Sequence, residues 1–163
     1  MFRVLFVCTA NVCRSPLAEV ILRKLISARN MESSIEVCSS GTWAVDGQQA
    51  SSLTKIVALE NGLDLSQHRS TAMSLDQVKK ADLILCMTPA HKKDLLQVFP
   101  HFDSKIFTLK EFAKKTPPQK NVIDDPIGMN LNFYRRIYKE LEGEIKRIWP
   151  EIVKRAMTKA EVE

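Results

Sequence analysis

Near the amino terminus, in the run VLFVCTANVCRSPLAE, Cys8 is followed six positions later by Arg14, and Arg14 directly by Ser15 and Pro16. A thiolate is a nucleophile, and a guanidinium is a planar fork that binds two oxygens of a tetrahedral anion at once. Placed between a strand and a helix, the intervening loop aims backbone N–H groups and the positive helix end into one concavity suited to such an anion. Cys8 would lie at the floor of that bowl with its thiolate stabilised by the same donors, and Ser15 is placed to donate to the sulfur. A thiolate facing a bound phosphoryl group attacks it. No Gly-Lys-Ser/Thr follows, so a nucleotide-binding P-loop does not fit. Displacing phosphate from an ester also needs a proton for the leaving group. In the stretch VIDDPIG, Pro126 restricts Asp125 to extended geometry, which gives a stiffly held carboxyl. Like-charge repulsion from Asp124 would help it keep that proton.

These residues need elements to position them. Phe2–Cys8 reads as a buried strand, short and continuously apolar. Ser15 can cap, and Pro16 can open, a helix carrying Leu17, Ile21, Leu22 and Leu25 on one side. Ile35–Ser39 is a second expected strand. A helix over Ser51–Asn61 turns Leu53, Ile56 and Val57 inward and stops at Gly62. A short helix at Leu75–Ala81 precedes a third strand, Asp82–Met87. A helix at His91–Phe99 precedes a fourth strand, Lys105–Leu109. Thr116–Met129 is a proline-rich polar loop. Beyond Asn130 a long amphipathic helix carries Tyr134, Ile137, Leu141, Ile145, Ile148 and Ile152, with Pro150 expected to kink it or end its regular part. Strands alternating with helices argue for a parallel α/β sheet, in which ligands sit at the carboxyl ends of the strands, where Cys8 lies.

With 163 residues and no internal linker, one domain spanning residues 1–163 is expected. No apolar run approaches membrane-spanning length, and the run from Val4 to Val7 is too short for a signal-peptide core. A cytoplasmic location is therefore expected, consistent with four cysteines that form neither a disulfide framework nor a paired metal motif. The net charge is +5, but much of the excess lies in pairs such as Lys79–Lys80, Lys92–Lys93, Lys114–Lys115 and Arg135–Arg136. These read as solvated helix faces, so neither a nucleic acid nor a membrane partner is expected.

VLFVCTANVCRSPLAE and VIDDP together resemble the amino-terminal signature and the general-acid loop of the low-molecular-weight protein-tyrosine-phosphatase family. GLDLSQHRS and ADLILCM resemble its middle segments, so the likeness covers nearly the whole chain. The resemblance implies a flavodoxin-like α/β fold: a single three-layer domain whose four-stranded parallel sheet has order 2-1-3-4, flanked by helices. It implies that Cys8 attacks phosphorus while Asp125 protonates the leaving group, and that Asp125 then activates the water that hydrolyses the phosphocysteine. Arg14 and the amides of Thr9, Ala10, Asn11, Val12, Cys13 and Arg14 would hold the oxyanion. No metal or other cofactor is called for, because the guanidinium and amides supply the positive charge. Asn11 would fix the loop internally, with Ser39 and His68 supporting it from outside. Cys13 is either a small buried hydrophobe or, as the resemblance suggests, the partner in a reversible disulfide with Cys8. Cys38 and Cys86 read as core residues.

The expected partners are a phosphorylated protein substrate and, in the site, phosphate or another tetrahedral oxyanion. The pocket wall is expected from Val12, Trp43 and Ile127. Relatives acting on phosphotyrosine usually carry aromatic residues after the Asp-Pro pair, where this chain has Ile127 and Gly128. ADLILCMTPAHK and KIFTLKEF resemble a bacterial protein-arginine phosphatase branch, in which a threonine stands at the position of Val12. Val12 lacks that hydroxyl and suits a phenyl ring, so phosphotyrosine is the expected substrate and phosphoarginine the alternative. A thiol-dependent arsenate reductase on the same scaffold would need a second relay cysteine after Cys86, where Lys93 stands instead. A non-catalytic phosphate-binding module would need neither the loop thiol nor the stiff aspartate.

Overall fold

The structure, a computed structural model, describes residues 1–162. The expectation of one domain to Glu163 thus includes a residue outside the described range. Strand β1 (Phe2–Cys8) pairs in parallel with β2 (Ile35–Gly41) on one side and β3 (Leu83–Cys86) on the other, and β3 pairs in parallel with β4 (Ile106–Thr108). The order β2-β1-β3-β4 is the expected one. Because side chains alternate along a strand, Val4 and Phe6 of β1 enter one core and Leu5 and Val7 the opposite one. The first core is closed by α1 (Arg14–Ala28), α2 (Ser52–Glu60) and the long α5 (Leu131–Val162); the second lies under α3 (Leu75–Lys80) and α4 (Pro89–Val98). The result is three layers in a single α/β domain.

Local chemistry starts these elements. Ser51 caps α2, Thr88 caps α4 with Pro89 in its first turn, and Ser74 forms a reciprocal capping box with Gln77 on α3. Three expectations are corrected. Ser15 is not the cap of α1: the helix starts at Arg14 with Cys13 as its N-cap, and the buried Ser15 hydroxyl is engaged inside the loop. The inner face of α2 is Thr54, Val57 and Ala58, while Ile56 is exposed, because the helix is rotated to pack on α5. Pro150 does not end α5, which continues to Val162. Pro150 lies on the exposed side, where water can satisfy the carbonyl that loses its amide partner, while Ile148, Ile152 and Ala156 stay buried on the core side. Of the basic pairs, Lys114–Lys115 is exposed on a turn rather than on a helix.

Three chain segments converge beyond the carboxyl ends of the central strands. Cys8 stands opposite Gly41 in the β1–β2 ladder. The Ile123 amide donates to the Met87 carbonyl at 2.9 Å, which ties the loop carrying Asp125 to the end of β3. Gly41 matters by close approach: a Cβ there would stand 2.3 Å from the Thr9 carbonyl oxygen. Gly41→Ala must therefore push the loop off its seat. It is expected to cost about 1–3 kcal/mol of stability, read by urea unfolding.

Candidate active site

The loop from Cys8 to Ser15 is held by its carbonyls. The Cys8 carbonyl accepts from the Thr42 amide at 2.9 Å, that of Thr9 from the Trp43 amide at 3.0 Å, and that of Val12 from the Ser51 amide at 3.0 Å. The Asn11 carbonyl accepts from His68 Nε2 at 2.8 Å. In a planar trans peptide the carbonyl and the next amide point to opposite sides. The amides of Thr9, Ala10, Val12 and Cys13 are therefore turned away from these anchors, into the bowl. Asn11 has φ 57°, a left-handed conformation that asparagine tolerates better than most residues. Its side chain holds that turn: Nδ2 donates to Ser15 Oγ at 2.8 Å and Ser39 Oγ at 3.0 Å, and Oδ1 accepts from the Thr71 amide at 2.9 Å.

Cys8 is only 3% exposed and lies in a cavity of about 270 Å³ lined also by Thr9, Ala10, Val12, Cys13, Arg14, Asp125 and Ile127. Its sulfur stands 2.9 Å from Ser15 Oγ. Asn11 donates to that oxygen, and the acceptors within reach of the Ser15 proton are the Cys8 sulfur and, at 3.5 Å, the Ser40 carbonyl. Arg14 is buried, with one nitrogen donating to the Ile123 carbonyl at 2.9 Å and the other 3.6 Å from Asp125 Oδ2. The Asp125 side chain is half exposed at the rim, and its Oδ1 accepts from the Ile127 amide at 3.1 Å. A thiol, a guanidinium, inward amides and a carboxyl thus surround one anion-sized hollow. Such a set can bind a phosphoryl group, attack it and supply a proton opposite the nucleophile. Among the described residues, no group of three or more His, Cys, Asp or Glu is placed to hold a metal ion.

Two expected contributors lie elsewhere. Trp43 is 79% exposed and lines a neighbouring groove with Met73, Leu95, Val98 and Phe99, not the Cys8 cavity. Its backbone amide is bonded to the Thr9 carbonyl. Asp124, expected to act on Asp125, is instead paired with Lys120 at 2.8 Å. That hydrogen bond holds the Asp124 carboxyl below the usual carboxylate range and compensates its charge. Ile127, 55% exposed, does line the cavity. Cys13 lies in the same cavity with its thiol near Ser51 Oγ at 3.3 Å and Tyr134 Oη at 3.7 Å. Cys86 is fully buried and Cys38 only partly, with burial pushing the Cys38 thiol up to about 11.

Two contributors escaped the sequence. Glu19 of α1 accepts from Ser39, and Arg23 pairs with it, so the brace behind Asn11 extends to the helix surface. His91 of α4 is buried and bonds Thr9 Oγ1 through Nε2 at 2.8 Å and Thr88 Oγ1 through Nδ1 at 3.0 Å. Burial, and then the Arg14 charge, lower its pKa to about 4. Its one signal was position, three residues past Thr88 at the carboxyl end of the third strand.

Comparison with known proteins agrees with this geometry. The family model described as low molecular weight phosphotyrosine protein phosphatase matches residues 3–159. A protein-arginine-phosphatase of Geobacillus stearothermophilus is 37% identical over 147 residues, covering 90% of this chain and 93% of that protein. The crystal structure of a low molecular weight protein tyrosine phosphatase from T. tengcongensis superposes with a TM-score of 0.85 at 38% identity, covering 93% of this chain and 99% of that one. A mutant of the YwlE arginine phosphatase, with a phosphorylated active-site serine, superposes with a TM-score of 0.87 at 27% identity, covering 94% and 97%.

Proposed function

The chain belongs to the low molecular weight phosphotyrosine protein phosphatase family, and from that membership we propose that it hydrolyses phosphotyrosine in proteins through a phosphocysteine intermediate. The observation that carries the reading is one cavity lined by Cys8, Arg14 and Asp125 together. The Cys8 thiolate attacks phosphorus, and the bond to the tyrosyl oxygen breaks as Asp125 protonates it. Asp125 then takes a proton from the water that attacks phosphocysteine, releasing phosphate and the thiolate. Arg14 and the inward amides hold the equatorial oxygens in both steps, and Ser15 donates to the sulfur when it leaves. The phosphorylated active-site serine in the YwlE mutant supports a phosphoryl group carried at the nucleophile's position. The reading is tested by hydrolysis of an aryl phosphate in the presence of a chelator, with inhibition by vanadate. Failure of either result rejects it.

The substrate is argued from the wall. Val12 offers an apolar surface to a phenyl ring, and Ile127 adds a second apolar side chain to the lining. The second reading, phosphoarginine, is favoured by the 37% identical arginine phosphatase. A hydroxyl at position 12 would favour a guanidino group by giving it a hydrogen-bond partner. Val12→Thr is accordingly expected to raise the ratio of kcat/KM on phosphoarginine peptides to that on phosphotyrosine peptides by about tenfold. A wild-type ratio already favouring phosphoarginine would select the second reading.

Cys13 is the proposed guard of the nucleophile: peroxide oxidises Cys8 to the sulfenic acid, and the Cys13 thiol displaces water to close a disulfide. Four free thiols suit a reducing compartment, which supports the cytoplasm as the place of action. No helix among the described residues is long and apolar enough to cross a membrane.

A further inference from the structure

We propose that His91 is a positioning residue for the reaction: braced by Thr88, its imidazole turns the Thr9 hydroxyl so that the hydroxyl proton faces the bound phosphoryl group. The inference rests on the phosphatase reading and adds to it the Thr9 hydroxyl as a side-chain donor, oriented by a residue that lies outside the sequence motif.

The His91 backbone amide donates to Thr88 Oγ1 at 3.3 Å, and the same oxygen lies 3.0 Å from His91 Nδ1. If Nδ1 carried the ring proton, Thr88 Oγ1 would accept twice and its own proton would need another acceptor. With Nδ1 bare, Thr88 accepts from the amide and donates to the ring, and each group is used once. The neutral ring then carries its proton on Nε2, which donates to Thr9 Oγ1 across 2.8 Å. Thr9 lines the Cys8 cavity, and with one lone pair occupied its own proton is free for an anion there. The opposite tautomer would turn the Thr9 proton toward His91 and leave only lone pairs facing the anion.

The imidazole is built to stay neutral in this role. It is 6% exposed, and the charged groups acting on it are Arg14 from α1, Asp94 from its own helix and Asp125 from the rim. Burial and Arg14 outweigh the two carboxylates, so the ring remains unprotonated above about pH 5, given its pKa of about 4. A neutral ring has one donor and one acceptor, which is what the chain from Thr88 to Thr9 requires.

The test uses inorganic phosphate as probe, titrated calorimetrically into wild type, His91→Phe, Thr9→Val and the double variant. Each single change is expected to weaken phosphate binding about tenfold, the cost of one hydrogen bond to an anion. The double variant is expected to bind no more weakly than Thr9→Val alone. Nitrogen-15 NMR of the wild-type ring should show Nε2 protonated and Nδ1 bare. His91→Leu, which also lacks a donor, serves in place of His91→Phe if the latter does not fold by circular dichroism. Wild-type affinity in the His91 variant, losses that multiply in the double variant, or the opposite tautomer would each overturn the inference alone. Absence of phosphate binding by the wild type would remove the phosphatase reading, and this inference with it.

Discussion

Replacing Cys8 by serine is expected to lower kcat for an aryl phosphate by about 10⁴-fold or more while leaving the protein folded and able to bind phosphate. Cys8 and serine are close in volume, and the site is rigid around them, so little packing changes at a position only 3% exposed. What changes is ionisation. The inward amides, Arg14 and the Ser15 proton can hold a sulfur anion, but a serine hydroxyl ionises far less readily, and the neutral oxygen is a poor nucleophile toward a phosphate ester. The amides and Arg14 that hold the anion are untouched, so phosphate affinity measured by calorimetry should stay close to wild type although turnover is lost. Turnover surviving in Cys8→Ser would place the reacting atom elsewhere and remove the basis of the proposed mechanism.

The second large effect is expected at Asp125. Asp125→Asn keeps the size of the side chain and the bond from the Ile127 amide, but it has no proton to give. A general acid contributes about 10²- to 10⁴-fold, and the loss should scale with how much the leaving oxygen needs the proton. Phenyl phosphate, with its basic phenolate, is expected to lose about 10²- to 10³-fold in kcat. A nitrophenyl ester, whose phenolate leaves readily, should lose much less in its first step. The acidic residue at the rim is 3.6 Å from Arg14, so the neutral substitution also frees one guanidinium nitrogen for the anion. Equal losses on the two esters would mean that Asp125 orients Arg14 rather than donating a proton.

How far the sequence reached depended on how local each arrangement is. Cys8, Arg14 and Ser15 lie in one strand–loop–helix unit, and their mutual placement follows from the backbone path of eight residues. Asp125 is far away in the chain, yet the Asp-Pro pair marks a stiff carboxyl, and the bond from Ile123 to Met87 delivers it to the right edge. The strand order followed from the family likeness. The misreadings arise where a side chain answers to neighbours that spacing does not reveal. Trp43 was expected as a wall, but it lines another groove, with Met73, Leu95 and Val98. Asp124 was expected to repel Asp125, but Lys120, one helical turn's worth of residues earlier in a loop, pairs with it first. Ser15 could cap a helix in sequence terms, but its hydroxyl is held by Asn11 and Cys8. His91 was invisible because a lone histidine on a helix carries no pattern until a threonine of the Cys8 loop meets it.

The outward carbonyls of residues 8, 9, 11 and 12 are seated on four different partners, at positions 42, 43, 68 and 51. A cup pinned from so many directions has its donors already aimed before any guest arrives. The conformational entropy of shaping it was spent during folding, so nothing further is charged when a phosphoryl group enters. An anion entering this cup then meets donors that need no rearrangement of residues 8 to 12.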